Sequence, residues 1–275
     1  MRSTLALLVL VAALPLSAQQ SDPLAFLRHG NEPADIAFAT YRDQPYAPVR
    51  SGEVRAASFL TESRAMPFGQ LLGPVDPPVV RATQSAEAAM PGMVVAVRPP
   101  EGASYQRGDT VMLALVVPGP KGWGEIVLPT GLARIGEQTP RQTLATVIAM
   151  FGPIRYGQAV LPVEPLVNPG KVQPVPVAGP TGEVLGSEEP RELQQVGGRM
   201  FISIGRSSGL RVGDFVQIRR RPTARINGSN TIDDLVATAQ VVHTGDKSST
   251  IKLTRIIDPD IRPGAPVVRT ATLPS

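Results

Sequence analysis

The sequence predicts an all-β protein of two tandem small β-barrel-like modules behind a short N-terminal helical or extended leader. Three observations carry this. Five landmarks recur in the same order in the two halves of the chain. Proline (29) and glycine (26) make up a fifth of the 275 residues, against an average of about 12%. Valine-rich stretches are bounded by turn clusters, and no long helical periodicity runs between them.

The repeat begins at Phe68, with Phe-Gly-Gln-Leu-Leu-Gly (68–73), an apolar run at Met93–Val97, Gly108-Asp109-Thr110-Val111, Gly131–Ile135, and Ile154-Arg155-Tyr156-Gly157 leading into Val160. It returns as Thr-Gly-Glu-Val-Leu-Gly (181–186), Met200–Ile204, Gly213-Asp214-Phe215-Val216, Ala237–Val241, and Ile261-Arg262-Pro263-Gly264 before Val267. Gly73 and Gly186 are 113 positions apart, Gly108 and Gly213 are 105, and Gly157 and Gly264 are 107. The first copy therefore holds about eight extra residues between Gly73 and Gly108, where loop-like and small residues make an insertion inexpensive. Two copies of one β unit describe a scaffold and weigh against most enzyme readings.

Taken in order, residues 1–18 read as a signal peptide. Arg2 is the charged start, Leu5–Leu14 the apolar core and Pro15–Ala18 the cleavage region. That core is too short to span a bilayer, no later apolar run reaches the ~20 residues needed, and no cysteine follows for a lipid anchor. The expected destination is the periplasm or an outer-membrane or cell-wall association, without a transmembrane segment. Residues 19–50 form the leader, with short helices at Pro23–Leu27 and Glu32–Tyr41, the second capped by Asn31.

Module 1 covers 51–165. Glu53–Ala56 and Gly92–Val97 alternate as strands do, and Thr110–Val117 is a β-branched strand ended by Pro118–Gly122. Ile126–Leu128, Gly131–Ile135 and Thr143–Phe151 supply three more. Thr143–Met150 alone could be a helix, but its counterpart Ser248–Ile256 alternates Ile251 and Leu253 against Lys252 and Thr254, which is strand periodicity. Within 163–180, Gly170–Gln173 echoes Gly52–Arg55 and predicts a hinge followed by the opening strand of module 2. Module 2 covers 166–270 and leaves a tail at 271–275.

The absence of cysteine removes disulfides, thiol nucleophiles and thiolate metal sites, so core burial must hold each module together. A net charge of +4 and pI of 9.7 suit an acidic polymer or anionic lipid surface but are too weak to indicate nucleic acid. Gly205-Arg206-Ser207-Ser208-Gly209 matches G-x-S-x-G, with Asp233, Asp234 and His243 following. A nucleophile elbow needs a helix after the serine, and Leu210–Asp214 is turn and strand, so hydrolysis at Ser207 is a remote alternative. His29 and His243 are the only histidines, far apart in the chain. Asp258 and Asp260 flank a proline and read as a turn rather than calcium ligands. The expectation is no enzyme, no cofactor and no metal.

Contact residues are better candidates. Arg219, Arg220 and Arg221, with Arg206, Arg211 and Arg225, make module 2 locally basic, either as a solvated hairpin rim or as a contact for anionic glycan or lipid headgroups. Trp123, the sole tryptophan, stands in Gly-Trp-Gly beside Lys121, where it could stack on a sugar or fold back as a barrel plug.

Tyr105-Gln106-Arg107-Gly108-Asp109-Thr110-Val111 resembles the start of a LysM peptidoglycan-binding motif, but a strand and Pro-Gly-Pro-Lys-Gly stand where LysM has a helix. A closer resemblance is to the β modules that accompany LysM domains in bacterial envelope proteins and to the C-terminal domain of the flagellar assembly protein T family. Phe201–Gly205, Gly209–Asp214 and Ile261–Val267 carry it, with Ala57–Glu62 and Met66–Gly73 similar to the leader of such proteins. The resemblance implies a non-enzymatic, envelope-associated protein. The expected function is binding or attachment to peptidoglycan or another anionic envelope polymer. The alternative is a protein–protein scaffold of a secretion or motility apparatus, contacting envelope proteins through strand edges or the Gly-Trp-Gly loop.

Overall fold

Turn glycines set the frame. Gly92 and Gly197, Gly108 and Gly213, and Gly157 and Gly264 all hold φ between 83° and 95°, a region in which only glycine is unstrained. The computed structural model describes residues 49–75, 89–138, 143–163, 173–220 and 235–273. The signal peptide, nearly all of the leader, Arg221, Asp233, Asp234 and Gly170–Val172 lie outside the described residues. The described residues fall in one compact unit, Ala47–Ser275; the other unit, Met1–Tyr46, lies wholly outside them.

Module 1 consists of β1 (Phe59–Leu60), β2 (Gly69–Pro74), β3 (Val94–Arg98), β4 (Thr110–Pro118), β5 (Glu125–Gln138), β6 (Thr143–Met150) and β7 (Ala159–Pro162). Module 2 consists of β8 (Val175–Pro176), β9 (Thr181–Ser187), β10 (Arg199–Ile202), β11 (Phe215–Arg219), β12 (Leu235–Thr244), β13 (Ser249–Ile256) and β14 (Pro266–Thr272). Antiparallel pairing in module 1 runs β5-β4-β7-β2-β3-β6 and returns to β5; in module 2 it runs β12-β11-β14-β9-β10-β13 and returns to β12. Each is a ring of six, and the two orders are identical under the predicted repeat. β1 and β8 sit outside the rings on β5 and β14.

The correspondence reaches single hydrogen bonds. Gly108 N–H donates to Ile135 O and Gly213 N–H to Val241 O, both at 2.8 Å. The Asp109 and Asp214 carboxylates each accept the N–H three residues earlier, from Gln106 at 2.8 Å and Arg211 at 3.0 Å. Gly157 N–H bonds Leu71 O at 2.9 Å, as Gly264 bonds Val184 O at 2.8 Å, and Gly92 bonds Val147 O as Gly197 bonds Leu253 O. Since the Gly92 and Gly197 pair already has the 105-residue separation, the insertion narrows to between Gly73 and Gly92. The Gly-Asp words are thus the polar ties of the barrel: the aspartate closes its own turn and the glycine anchors that turn to the facing strand.

Inward-facing residues fill the two barrels in matching positions. Val111 and Leu113 in module 1 correspond to Val216 and Ile218, and Ile154 and Val160 to Ile261 and Val267, all buried. Tyr105 is a core residue of module 1; burial pushes its phenol up to about 12, and its hydroxyl donates to Val160 O at 3.4 Å.

Three element readings are corrected. Glu53–Ala56, read as a strand, falls on the end and C-cap of a short helix, α1 (Ser51–Arg55). Four residues of alternation are too few to fix a period, and here Glu53 closes the first turn by accepting Arg50 N–H at 3.5 Å. The separate strands at Ile126–Leu128 and Gly131–Ile135 are one strand, β5. Pro129 is accommodated because the ladder with β4 shifts register there, pairing Leu113 with Gly131 and Ala114 with Pro129. Finally, β14 continues to Thr272 with Leu273 buried beyond it, past residue 270 where the tail was expected. Thr143–Met150 is a strand, as its counterpart required.

A strap formed by residues 49–64 joins the barrels. Its β1 pairs Phe59 with Val127 and Leu60 with Ile126 on module 1. Toward module 2, Thr250 Oγ1 donates to Ser58 O at 2.6 Å, and Arg199 Nη1 to Ala56 O at 3.0 Å. The Glu62 carboxylate, nearly sealed from solvent, accepts Lys247 N–H, Ser248 N–H and Ser248 Oγ, each at 2.8 Å. Glu62 and Ser63 hold φ of 56° and 58°, a conformation costly for residues with a Cβ, and this sharp turn aims the carboxylate at module 2. The strap runs between two glycine turns with no room for side chains: a Cβ at Gly124 would meet Thr61 Oγ1 at 2.4 Å, and one at Gly245 would meet Glu62 Oε1 at 2.4 Å.

Candidate functional site

A groove of about 710 Å³ lies on module 1, lined by β4, the start and bulge of β5, the 153–159 turn and Phe68. Its floor is polar but satisfied. At the bulge the Thr130 hydroxyl lies 2.8 Å from Gln158 Oε1 and 3.1 Å from Leu113 O, while Gln158 Nε2 donates to Pro153 O at 2.9 Å. Its walls are apolar and open: Leu115 is 45% exposed and Tyr156 67% exposed, with Arg155 and Glu125 also lining the groove.

Comparison of the two barrels shows what is particular to this place. Module 2 carries Val236 and Ala265 where module 1 carries the buried pair Thr130 and Gln158; Val236 belongs to the apolar core and Ala265, partly buried, packs against it. It carries Pro263 in the turn position of Tyr156. The scaffold therefore requires neither the buried carboxamide nor the aromatic turn residue. Tyr156 stood in the sequence only as a landmark of the repeat; its departure from proline in the second copy is the signal that singles it out.

The predicted contact residues are dispersed. Trp123 is half-buried and packs against the cluster of Leu60, Ile126 and Phe201, at the seam between the modules. Lys121 on the same turn is exposed. Arg219 ends β11 and donates to Gln217 Oε1 at 3.0 Å; Arg220 pairs with Asp258. That pairing and the Asp260 N–H, bonded to Asp258 Oδ1 at 2.9 Å, hold the Asp258 carboxyl below its ordinary value. Arg262 bonds Asp260 at 2.7 Å, so each of the two aspartates is tied to an arginine. Among the described residues no group of three or more histidine, aspartate or glutamate side chains gathers in a metal-ligating arrangement.

Ser207 sits on an exposed one-turn 3-10 helix (Arg206–Ser208), and its hydroxyl donates to Asp246 O at 2.8 Å. His243 lies on β12 with its Nδ1 enclosed and unpartnered, its ring stacked on Phe59 at 4.7 Å. Burial, reinforced by the Arg206 charge and opposed by Glu62, brings its imidazole down to about 4. A smaller polar recess of about 260 Å³ on module 2 is lined by Glu188, Glu189, Arg191, Gln194 and Arg199. There Arg199 pairs with Glu188 at 3.2 Å and Arg191 with Glu189 at 2.5 Å. No helix among the described residues is long and apolar enough to cross a membrane. Neither a protein-family model nor a curated protein matches the chain.

Proposed function

We propose that this is a non-catalytic, exported envelope protein that attaches to a wall glycan polymer through the module 1 groove. The observation that carries the reading is the asymmetry between the barrels: one repeated scaffold, and a single copy of it furnished with an exposed aromatic ring over a hydrogen-bonded floor. An aromatic face beside arginine, glutamate and carboxamide groups suits a sugar ring, whose C–H face stacks and whose hydroxyls bond at the rim. The net charge of +4 favours an anionic polymer. The test is retention on purified peptidoglycan at low salt. The wild-type chain is expected to be retained and Tyr156→Ala to lose about tenfold in affinity; absence of retention rejects the wall-binding reading.

One observation favours the scaffold reading instead. Val94, Ile148 and Met150 on the adjoining strands β3 and β6, with Met90 on the turn bonded to Val147, are exposed apolar side chains on the outside of module 1, as interaction surfaces often are. Crosslinking in cells through Ile148 that recovers no envelope protein counts against it.

A further inference from the structure

The strap meets module 2 through apolar contacts, Val49 and Ala57 with Val242 and Leu60 with Phe201, and through a separate polar patch. Ser58, Ser248, Ser249 and Thr250 are buried there, and Ser58 Oγ, Ser249 Oγ and His243 Nδ1 are enclosed without a hydrogen-bond partner. That polar patch gains less from burial than the apolar contacts beside it and leaves polar atoms better served by water. The same strap is held to module 1 differently, by the β1–β5 main-chain ladder, by Thr61 N–H to Glu125 O and by Glu125 N–H to Thr61 Oγ1, both at 2.9 Å. The two attachments are therefore separable: one is a ladder, the other a clamp centred on Glu62 and the Phe59–His243 stack.

His243 is the titratable group within that clamp. From β13 it faces Thr250, and from the strap Phe59. The charges that act on it are Glu62 of the strap and Arg206 of the 3-10 turn, whose Nη2 donates to Thr244 O at 2.9 Å. Arg64 and Asp246 pair with each other at the exposed rim, where Lys247 contributes its main-chain N–H to Glu62. A protonated imidazole carries N–H on both nitrogens, whichever tautomer precedes it. Protonation thus places a donor on Nδ1, which has no acceptor, inside an enclosed stack.

We propose that the strap–module 2 contact is an acid-released latch: when His243 takes a proton, residues 58–63 lift from the 243–250 hairpin while both barrels remain folded and the strap stays on module 1. At neutral pH the latch is closed and the two barrels act as one rigid body. As the pH falls the tie between residues 58–63 and the 243–250 hairpin loosens, while the apolar seam of Ile126, Trp123 and Phe201 stays in place.

Amide hydrogen exchange across pH, corrected for intrinsic rates, tests this on the full chain. Lys247 and Ser248 N–H report the clamp; Gly213 and Leu253 N–H, bonded within module 2, report the barrel. With His243 at about 4 when closed and 6.5 when free, the opening constant rises about 80-fold between pH 6.5 and 4. Protection at Lys247 and Ser248 should fall accordingly, Gly213 and Leu253 should hold, and His243→Phe, which keeps a ring on Phe59, should abolish the pH dependence. Should that variant not fold, the wild-type His243 ring resonances must titrate in step with the loss of clamp protection. Equal loss at clamp and barrel amides, an unchanged pH response in His243→Phe, or ring titration out of step with the clamp overturns the latch.

Discussion

Glu62 concentrates more of the structure in one side chain than any residue singled out from the sequence. It is a carboxylate with three short hydrogen bonds from module 2, on a backbone held at positive φ. Nothing in its sequence neighbourhood marks it, because its partners are about 185 positions away and all three of its bonds come from main-chain N–H or hydroxyl groups of a turn. Replacing it with alanine leaves buried donors unpaired, and we expect Glu62→Ala to cost about 2–3 kcal/mol in urea denaturation. His243 gives a pH-dependent counterpart. Its proton affinity is lowered on folding, so the unfolded chain binds the extra proton between pH 6.5 and 4. Stability is therefore full above about pH 6.5 and declines as pH falls toward 4, by up to about 3 kcal/mol; His243→Phe should flatten that part of the profile. Trp123 teaches the opposite lesson to Glu62. A tryptophan between glycines is conspicuous in a sequence, but whether its ring faces water or a second domain depends on packing that no local pattern encodes.

At the scale of elements, what repeats was legible. Each Gly-Asp turn, the Ile-x-x-Gly turn and the apolar runs fall on equivalent strands, since a turn glycine at positive φ and an alternating strand are local physics. The exceptions are elements whose form is set from a distance. The helix α1 is stapled by Lys252, whose ammonium bonds Glu53 at 2.7 Å; burial tends to raise the Glu53 carboxyl, but Lys252 and Arg50 prevail and hold it below its ordinary value. β5 runs through Pro129 because a bulge absorbs the missing N–H. Two glycine substitutions separate the local cause from the distant one. Gly264 has φ of 85° and open space around it, so Gly264→Ala should cost only the backbone strain, about 1 kcal/mol. Gly205 has ordinary φ, but a Cβ would meet Asp246 O at 2.4 Å. Gly205→Ala should therefore cost more, about 2–3 kcal/mol, as compared by thermal melting of the two variants.

For the whole molecule, the repeat foretold two modules of one design and the structure adds how they are joined and where they differ. Joining is the work of the strap, whose contacts with module 2 are too remote in sequence to be read from it. The difference lies in the groove, where Tyr156, Thr130 and Gln158 replace Pro263, Val236 and Ala265. It could be recognised only once the copies were aligned residue by residue, because an aromatic in a turn is unremarkable until its twin is a proline. The central claim is that one barrel is plain scaffold and the other carries the contact surface. The most direct measurement is an amide chemical-shift titration of the folded chain with soluble peptidoglycan glycan fragments. The account predicts shifts confined to the groove, at Leu115, Val116, Tyr156, Gly157 and Gln158, with module 2 residues 261–265 unmoved. Shifts centred on module 2, or equal shifts at both turns, would contradict it.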